Sequence, residues 1–169
     1  MAEIFLKIDN VPGESIDAAD GDSPHIGDIE LQDWRLGISN DAPQHMTETD
    51  KDKVTQHTNV TDLVVTKWID LATKPLLQFC AEGTIIEKAT LTLRKLAGDH
   101  KHEYFVVDFT KLKVVSVDWP QGEDKKEDVT FRFATFKLKY TMQDNAGEGS
   151  QGSLEFGWNQ EEHEELHEP

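Results

Sequence analysis

Apolar residues recur at every second position along most of this chain. Ile4, Leu6 and Ile8 alternate with polar neighbours, and Asn10-Val11-Pro12-Gly13 then interrupts the run with a turn. The pattern predicts a first strand with one face in a core. Residues 17–27 are polar and rich in Asp and Gly, which predicts a loop. Ile29 to Ile38 predicts a second strand with a fault in its phase. Ile29 and Leu31 are apolar on one parity, whereas Trp34, Leu36 and Ile38 are apolar on the other. Strand side chains repeat with period two, so a bulge or barrel corner leaves this imprint. From Ser39 to Thr58 nearly every residue is polar. Compact domains keep a loop of this length for function or leave it disordered. A third strand is expected over Val60 to Leu71. A short helix follows over Lys74 to Glu82, with Thr73 as N-cap, Pro75 in the first turn and Gly83 at the left-handed C-terminal position.

The second half reads as strand after strand. Ala89, Leu91 and Leu93 alternate with Thr90, Thr92 and Arg94, and Gly98-Asp99 marks a turn. Glu103 to Trp119 and Val129 to Tyr140 are long strands. The latter flips phase as well, from Phe131 and Phe133 to Phe136, Leu138 and Tyr140. Leu154, Phe156 and Trp158 form the last alternating run. Many strands, one helix and two phase flips predict a mainly β fold: a small closed or nearly closed β-barrel with one short flanking α-helix and an extended polar loop. The barrel domain is expected over residues 1–159, with an acidic, flexible C-terminal tail over 160–169.

Charge narrows the function. The 169 residues carry 33 Asp and Glu against 17 Lys and Arg, a formal net charge of −16. Such a chain is repelled by phosphate backbones and anionic lipid, which argues against nucleic-acid binding. No run approaches the roughly 20 apolar residues of a membrane helix. The opening Met1-Ala2-Glu3-Ile4-Phe5-Leu6-Lys7 has an early acid and no basic segment, so it reads as strand and not as signal peptide. Cys80 is the lone cysteine. It allows no intrachain disulfide or cysteine zinc site, and its apolar setting reads as a small buried hydrophobe.

Three constellations invite a catalytic reading. His163-Glu164-Glu165-Leu166-His167 fits H-E-x-x-H, in which two His one turn apart bind zinc and the Glu is the base. That chemistry also needs a third ligand, a shielded cleft and a fixed helix. Residues 159–169 hold five Glu and no Lys or Arg, so His163 and His167 read as a decoy in a solvated tail. Ser15, His25 and Asp28 could be drawn as a triad, but no nucleophile elbow surrounds the serine. His100 and His102 flank Lys101 at a hairpin tip. No catalytic residue, cofactor or metal is assigned, and the chain is not expected to be an enzyme.

A family resemblance runs through these elements. Ile4-Phe5-Leu6-Lys7-Ile8 followed by Val11-Pro12-Gly13-Glu14-Ser15 resembles the opening of haemolysin-coregulated proteins (Hcp). The likeness continues through His25, Ile29-Glu30-Leu31, Trp34 and Gly37, through Trp68 to Leu77, Gly83, Ala89 to Arg94 and Glu127 to Phe131, to Tyr140 and Gly157-Trp158-Asn159. It spans residues 3 to 159, and the order and spacing of these short elements carry it. The resemblance implies a homohexameric ring that stacks into the type VI secretion tube and holds small secreted effectors in its channel. It also implies spike and sheath components as partners, a cytoplasmic origin and export without a signal peptide. The alternative is a monomeric barrel that carries a small apolar ligand in its interior.

Two surface assignments follow. On the second strand Asp33 and Arg35 share the parity opposite Trp34 and Leu36, so they point away from the core. Since the resemblance implies that this outward face lines the channel, both are expected to meet cargo. The polar loop, with His45, Met46, Glu48, Lys51 and Lys53, is expected to join stacked rings. Facing surfaces of so acidic a protein repel at contact distances inside the Debye length of about 8 Å, so stacking needs local complementarity.

Overall fold

A computed structural model of the chain describes residues 3–17, 24–41, 58–97, 100–120, 122, 125–143 and 150–166. In chain order the elements are β1 (Glu3–Ile8), β2 (Ile29–Arg35), β3 (Ile38–Asn40), β4 (Thr58–Val60), β5 (Leu63–Trp68), α1 (Thr73–Glu82), β6 (Ile85–Ala97), β7 (His100–Asp118), β8 (Lys126–Gln143), β9 (Ser150–Asn159) and β10 (Glu164–Glu165). The order β5-β2-β1-β6-β7 closes on itself because β8 pairs with both β5 and β7. The result is a six-stranded antiparallel barrel, as the alternating pattern predicts. Leu6, Ile29, Leu63, Val65, Leu91, Phe109 and Phe131, all buried, belong to the single core cluster that fills it. A barrel of about eight strands is only just wide enough to hold side chains or one small ligand, and six strands leave less room. The packed interior counts against the apolar-carrier alternative.

Both phase flips have a structural cause. The register of β2 on β5 shifts between Leu31 and Asp33, a bulge at the expected place. The flip in β8 marks a change of partner. Lys126 to Phe131 pair with β5, whereas Thr135 to Gln143 pair with β9, outside the barrel. At the junction Gln160 donates its main-chain N–H to the Ala134 carbonyl (2.9 Å) and its Nε2 to the Phe133 carbonyl (2.8 Å). Opposite, on β7, Lys111 adopts a positive φ of 51°. One long strand thus serves two sheets, and the parity of its apolar residues changes where it turns.

Three expectations change. The second and third strands are each shorter than expected, because the chain breaks at Leu36-Gly37 and at Thr61-Asp62. The main chains meet there: Thr61 N–H donates to the Gly37 carbonyl and Gly37 N–H to Thr61 Oγ1, both at 2.8 Å. The remainder, β3 and β4, forms a separate two-stranded ribbon at the base of the polar loop. Helix α1 begins after Ala72 without a side-chain cap, and Thr73 Oγ1 instead accepts the Asp70 N–H at 3.1 Å. Its C-terminus is as expected, with Gly83 at φ 67°. The tail over 160–169 is a folded return as far as Leu166. Asn159 Oδ1 accepts the N–H groups of Glu161 (2.9 Å) and Glu162 (3.3 Å), β10 pairs with Trp158 and Asn159, and Leu166 N–H donates to the Gly157 carbonyl. A Cβ on Gly157 would lie 2.9 Å from that of Leu166, which accounts for the glycine.

Residues 11–17 and 24–28 form a strap over the outer side of β1 and β6. At Gly13 an added Cβ would lie 2.1 Å from the Asp28 carbonyl oxygen, so the strap closes only with glycine there. Gly27 has open space around it but a φ of 79°. Gly13→Ala is therefore expected to cost roughly 1–3 kcal/mol through backbone displacement. Gly27→Ala is expected to cost about 1–2 kcal/mol through the left-handed conformation alone. Urea unfolding of both variants checks the two values, and an unchanged midpoint for Gly13→Ala would contradict the packing described.

Candidate functional site

Glu3 and Phe5 lie on the parity of β1 that points out of the barrel, opposite Leu6 and Ile8. Phe5 is nevertheless only 4% exposed, because the strap covers it. The His25 ring stacks on Phe5, with centroids 4.3 Å apart and planes 2° apart, and the Arg94 guanidinium lies over the same ring at 4.9 Å. Carboxylates surround this column. Arg94 donates to Glu3 Oε2 (2.8 and 2.9 Å) and to Asp17 Oδ2 (2.5 Å), and Lys101 reaches Glu3 Oε1 (3.2 Å) and Asp17 Oδ1 (2.8 Å). Ser15 and Gly27 tie the two arms of the strap: Ser15 N–H donates to the Asp28 carbonyl and Gly27 N–H to the Ser15 carbonyl. The strap is thus fixed by ionic and aromatic contacts outside the main core.

His25 does not serve a nucleophile. Its Nδ1 lies 2.7 Å from Asp28 Oδ2 and its Nε2 3.0 Å from Glu103 Oε1. Two carboxylates, one on each nitrogen, call for donors at both, which is the imidazolium. Burial pulls the His25 pKa down, but the Glu103 and Asp28 carboxylates outweigh it and leave it above its ordinary 6.5. A triad histidine needs a nitrogen free to take the serine proton, and neither is free here. His163 sits on an exposed turn with φ 54°, not on a helix, and His167 lies outside the described residues. Lys101, expected at a bare hairpin tip, belongs to the strap cluster.

A second charged cluster sits inside the barrel end. Lys67 shares the inward parity of Leu63 and Val65, and Glu127 that of Val129 and Phe131. Both side chains are 0% exposed, and they are direct cross-strand partners on β5 and β8. Lys67 Nζ donates to Glu127 Oε1 (2.5 Å), Asp70 Oδ1 (2.7 Å) and the Trp68 carbonyl (2.8 Å). Glu127 also accepts from Thr73 Oγ1 (2.8 Å) and Trp119 Nε1 (2.9 Å). Sequence reasoning missed this pair. The available signal was two opposite charges, each at a core-parity position beside apolar residues.

Asp33 and Arg35 are exposed on β2, while Trp34 and Leu36 pack against the core. Asp33 is the cross-strand neighbour of Thr66, whose hydroxyl donates to Asp128 Oδ1 at 2.6 Å. A polar strip thus crosses the outside of β2, β5 and β8, away from the strap. His45, Met46, Glu48, Lys51 and Lys53 lie outside the described residues.

Each charged cluster predicts a measurable effect. The raised His25 pKa contributes stability that is fully present below about 6.5 and lost as pH rises through the folded value. Burial raises the Glu3 and Asp17 pKa values, but Arg94 and Lys101 outweigh it and leave both lowered. Their stabilisation is lost as pH falls below the ordinary 4.5 and 3.8. Unfolding free energy should therefore peak roughly between pH 4.5 and 6.5 and decline as pH rises through the raised His25 value. His25→Gln is expected to flatten the alkaline decline in urea titrations, and an unaltered slope would contradict the assignment. Lys67→Met leaves Glu127 buried without its cation and should cost about 3–5 kcal/mol, whereas Lys67→Met with Glu127→Leu should recover most of that loss. Chemical denaturation of both variants checks this.

Comparison with known proteins bears on what these surfaces serve. Residues 5–140 match the family model described as "Type VI secretion system effector, Hcp". The chain is 33% identical over 160 residues to Protein hcp1 of Pseudomonas aeruginosa, covering 93% of this chain and 94% of that protein. It is similar to the crystal structure of Hcp1 from Salmonella typhimurium, with a TM-score of 0.75, 30% identity and coverage of 98% and 99% of the two chains. Hcp2 from the same organism superposes with a TM-score of 0.65 at 29% identity, covering 93% and 94%. Among the described residues no helix is long and apolar enough to cross a membrane. The chain belongs to the Hcp family, the tube component of type VI secretion systems.

Proposed function

We propose that the chain is the ring subunit of that tube. Six copies close a ring, rings stack, small effector proteins ride in the channel, and the chain leaves the cell with them. Near-complete coverage by Hcp proteins at 30–33% identity carries this reading. The strip holding Asp33, Arg35, Thr66 and Asp128 supports its placement at the channel wall. The strap covers β1 and β6 and the helix lies on β7, whereas Asp33 and Arg35 stay exposed. Polar side chains on such a wall suit several cargoes in turn better than one apolar pocket does.

The exposed ribbon β3–β4 supports a role for the loop it carries, with His45, Met46, Glu48, Lys51 and Lys53 reaching the next ring. Spike and sheath components are the further partners this role implies. Native mass spectrometry tests the reading: a ring has six times the mass of the 19.2 kDa chain, and a carrier has that mass alone. In the ring, Arg35→Glu is expected to weaken retention of bound effector about tenfold or more, as lost charge contacts do. Undiminished retention in an intact ring would remove Arg35 from the cargo surface.

A further inference from the structure

The strap forms no ladder with the barrel it covers. Among the described residues, the main-chain hydrogen bonds of residues 13–28 join its own two arms or lie within one. Gly13 N–H donates to the Gly27 carbonyl (2.8 Å), Ser15 to Asp28 (3.1 Å), Gly27 to Ser15 (2.8 Å) and Asp28 to His25 (3.1 Å). Beneath the strap, β1 is already paired on both sides, with β2 and with β6. The strap can therefore leave without breaking a strand pairing. What fastens it to the barrel is side-chain contact. His25 lies flat on Phe5 and reaches Glu103 of β7 at 3.0 Å. Asp17 reaches Arg94 (2.5 Å) and Lys101 (2.8 Å), and Glu14 Oε1 accepts the Leu71 N–H at 3.1 Å.

His25 is the fastener whose ordinary titration range is neutral pH. Its imidazolium donates to a carboxylate from each nitrogen, Asp28 on the strap and Glu103 on the barrel. A neutral ring has one N–H donor, so one of the two carboxylates then faces a lone pair. The charges around the ring come from every element it meets. They are Asp17 and Asp28 on the strap, Glu3 and Lys7 on β1, Glu30 beside Phe5 on β2, Arg94 on β6, and Lys101 and Glu103 on β7. Acids outnumber bases in this set and favour the charged ring. Under the cover lie Phe5, its cross-strand neighbour Thr92 and Arg94, none more than 5% exposed.

We propose that the strap is a latch: when His25 gives up its proton, the strap lifts from β1 and β6 while the barrel stays closed. The proposal does not depend on the ring reading. Two short arms joined by so few bonds do not hold together alone in water, so lifting also frees their amides. Hydrogen exchange of the full chain, followed by NMR, tests it. The Gly13, Ser15 and Gly27 amides are expected to show roughly tenfold or more lower protection than the ladder amides of β1 and β6, with little dependence on added urea. Opening releases one proton in the range between the ordinary and the raised His25 values. Protection of the strap amides should therefore fall by up to about tenfold per pH unit above 6.5, then level off past the raised value. Glu103→Gln, at a part-exposed site, should move the imidazole titration and this fall together toward 6.5. Equal protection of strap and ladder amides overturns a separately opening latch. Strap protection that stays flat across the His25 titration, or that does not follow it in Glu103→Gln, overturns His25 as its catch.

Discussion

The ion pair between Lys67 and Glu127 constrains much of the rest of the structure. Each stands at a core-facing position, and neither reaches water. Removing two charges from water costs several kcal/mol per ion, and only close pairing with complete hydrogen bonding offsets this. The geometry meets that demand: four acceptors surround the ammonium, and three donors surround the carboxylate. Such a pair adds little net stability over apolar residues of the same shape, but it is intolerant of error. Shifting β8 by one residue would face Lys67 with Lys126 or Asp128 and turn the inward row of β8 outward. The pair therefore holds β5 and β8 in one register, and β8 is the strand that closes the barrel. Its outer ligands, Asp70, Thr73 and Trp119, tie the start of the helix and the end of β7 to the same point.

The strap follows a different logic. It has few apolar residues to bury, and it is held by a column of His25, Phe5 and Arg94 within a ring of carboxylates. This arrangement depends on pH through His25, Glu3 and Asp17. It also inverts the usual placement, with polar side chains underneath and Ile26 outside.

Strand β8 links these parts. Its first half completes the barrel and its second half supports β9, so the apolar row of the core continues onto a surface outside it. The barrel then offers distinct faces: the strap over β1 and β6, the open edge of β9 and the polar strip across β2, β5 and β8. A chain of net charge −16 cannot rely on general attraction between copies.

Legible in the sequence were the fold class, the seven longer strands, the C-terminus of the helix and the bulge in β2, but not the short β3, β4 and β10. Each rests on interactions between residues close in the chain: alternation along a strand, a glycine at a left-handed position, a slip of one residue. Family membership was legible for a related reason, since short elements such as Val11-Pro12-Gly13 and Gly157-Trp158-Asn159 keep their order. Gly13 and Gly157 show why glycine stands there, because the Asp28 carbonyl and Leu166 press against them. The contacts between residues far apart in sequence emerge only from the folded barrel. Nothing in the alternation marked Lys67 and Glu127 as partners, while Arg94 read as the polar half of a half-buried strand and His25 as part of a polar loop. Each became buried because partners 60 to 91 residues away supplied the opposite charge. The alternation of one strand records which way a side chain points but not what the fold brings to meet it.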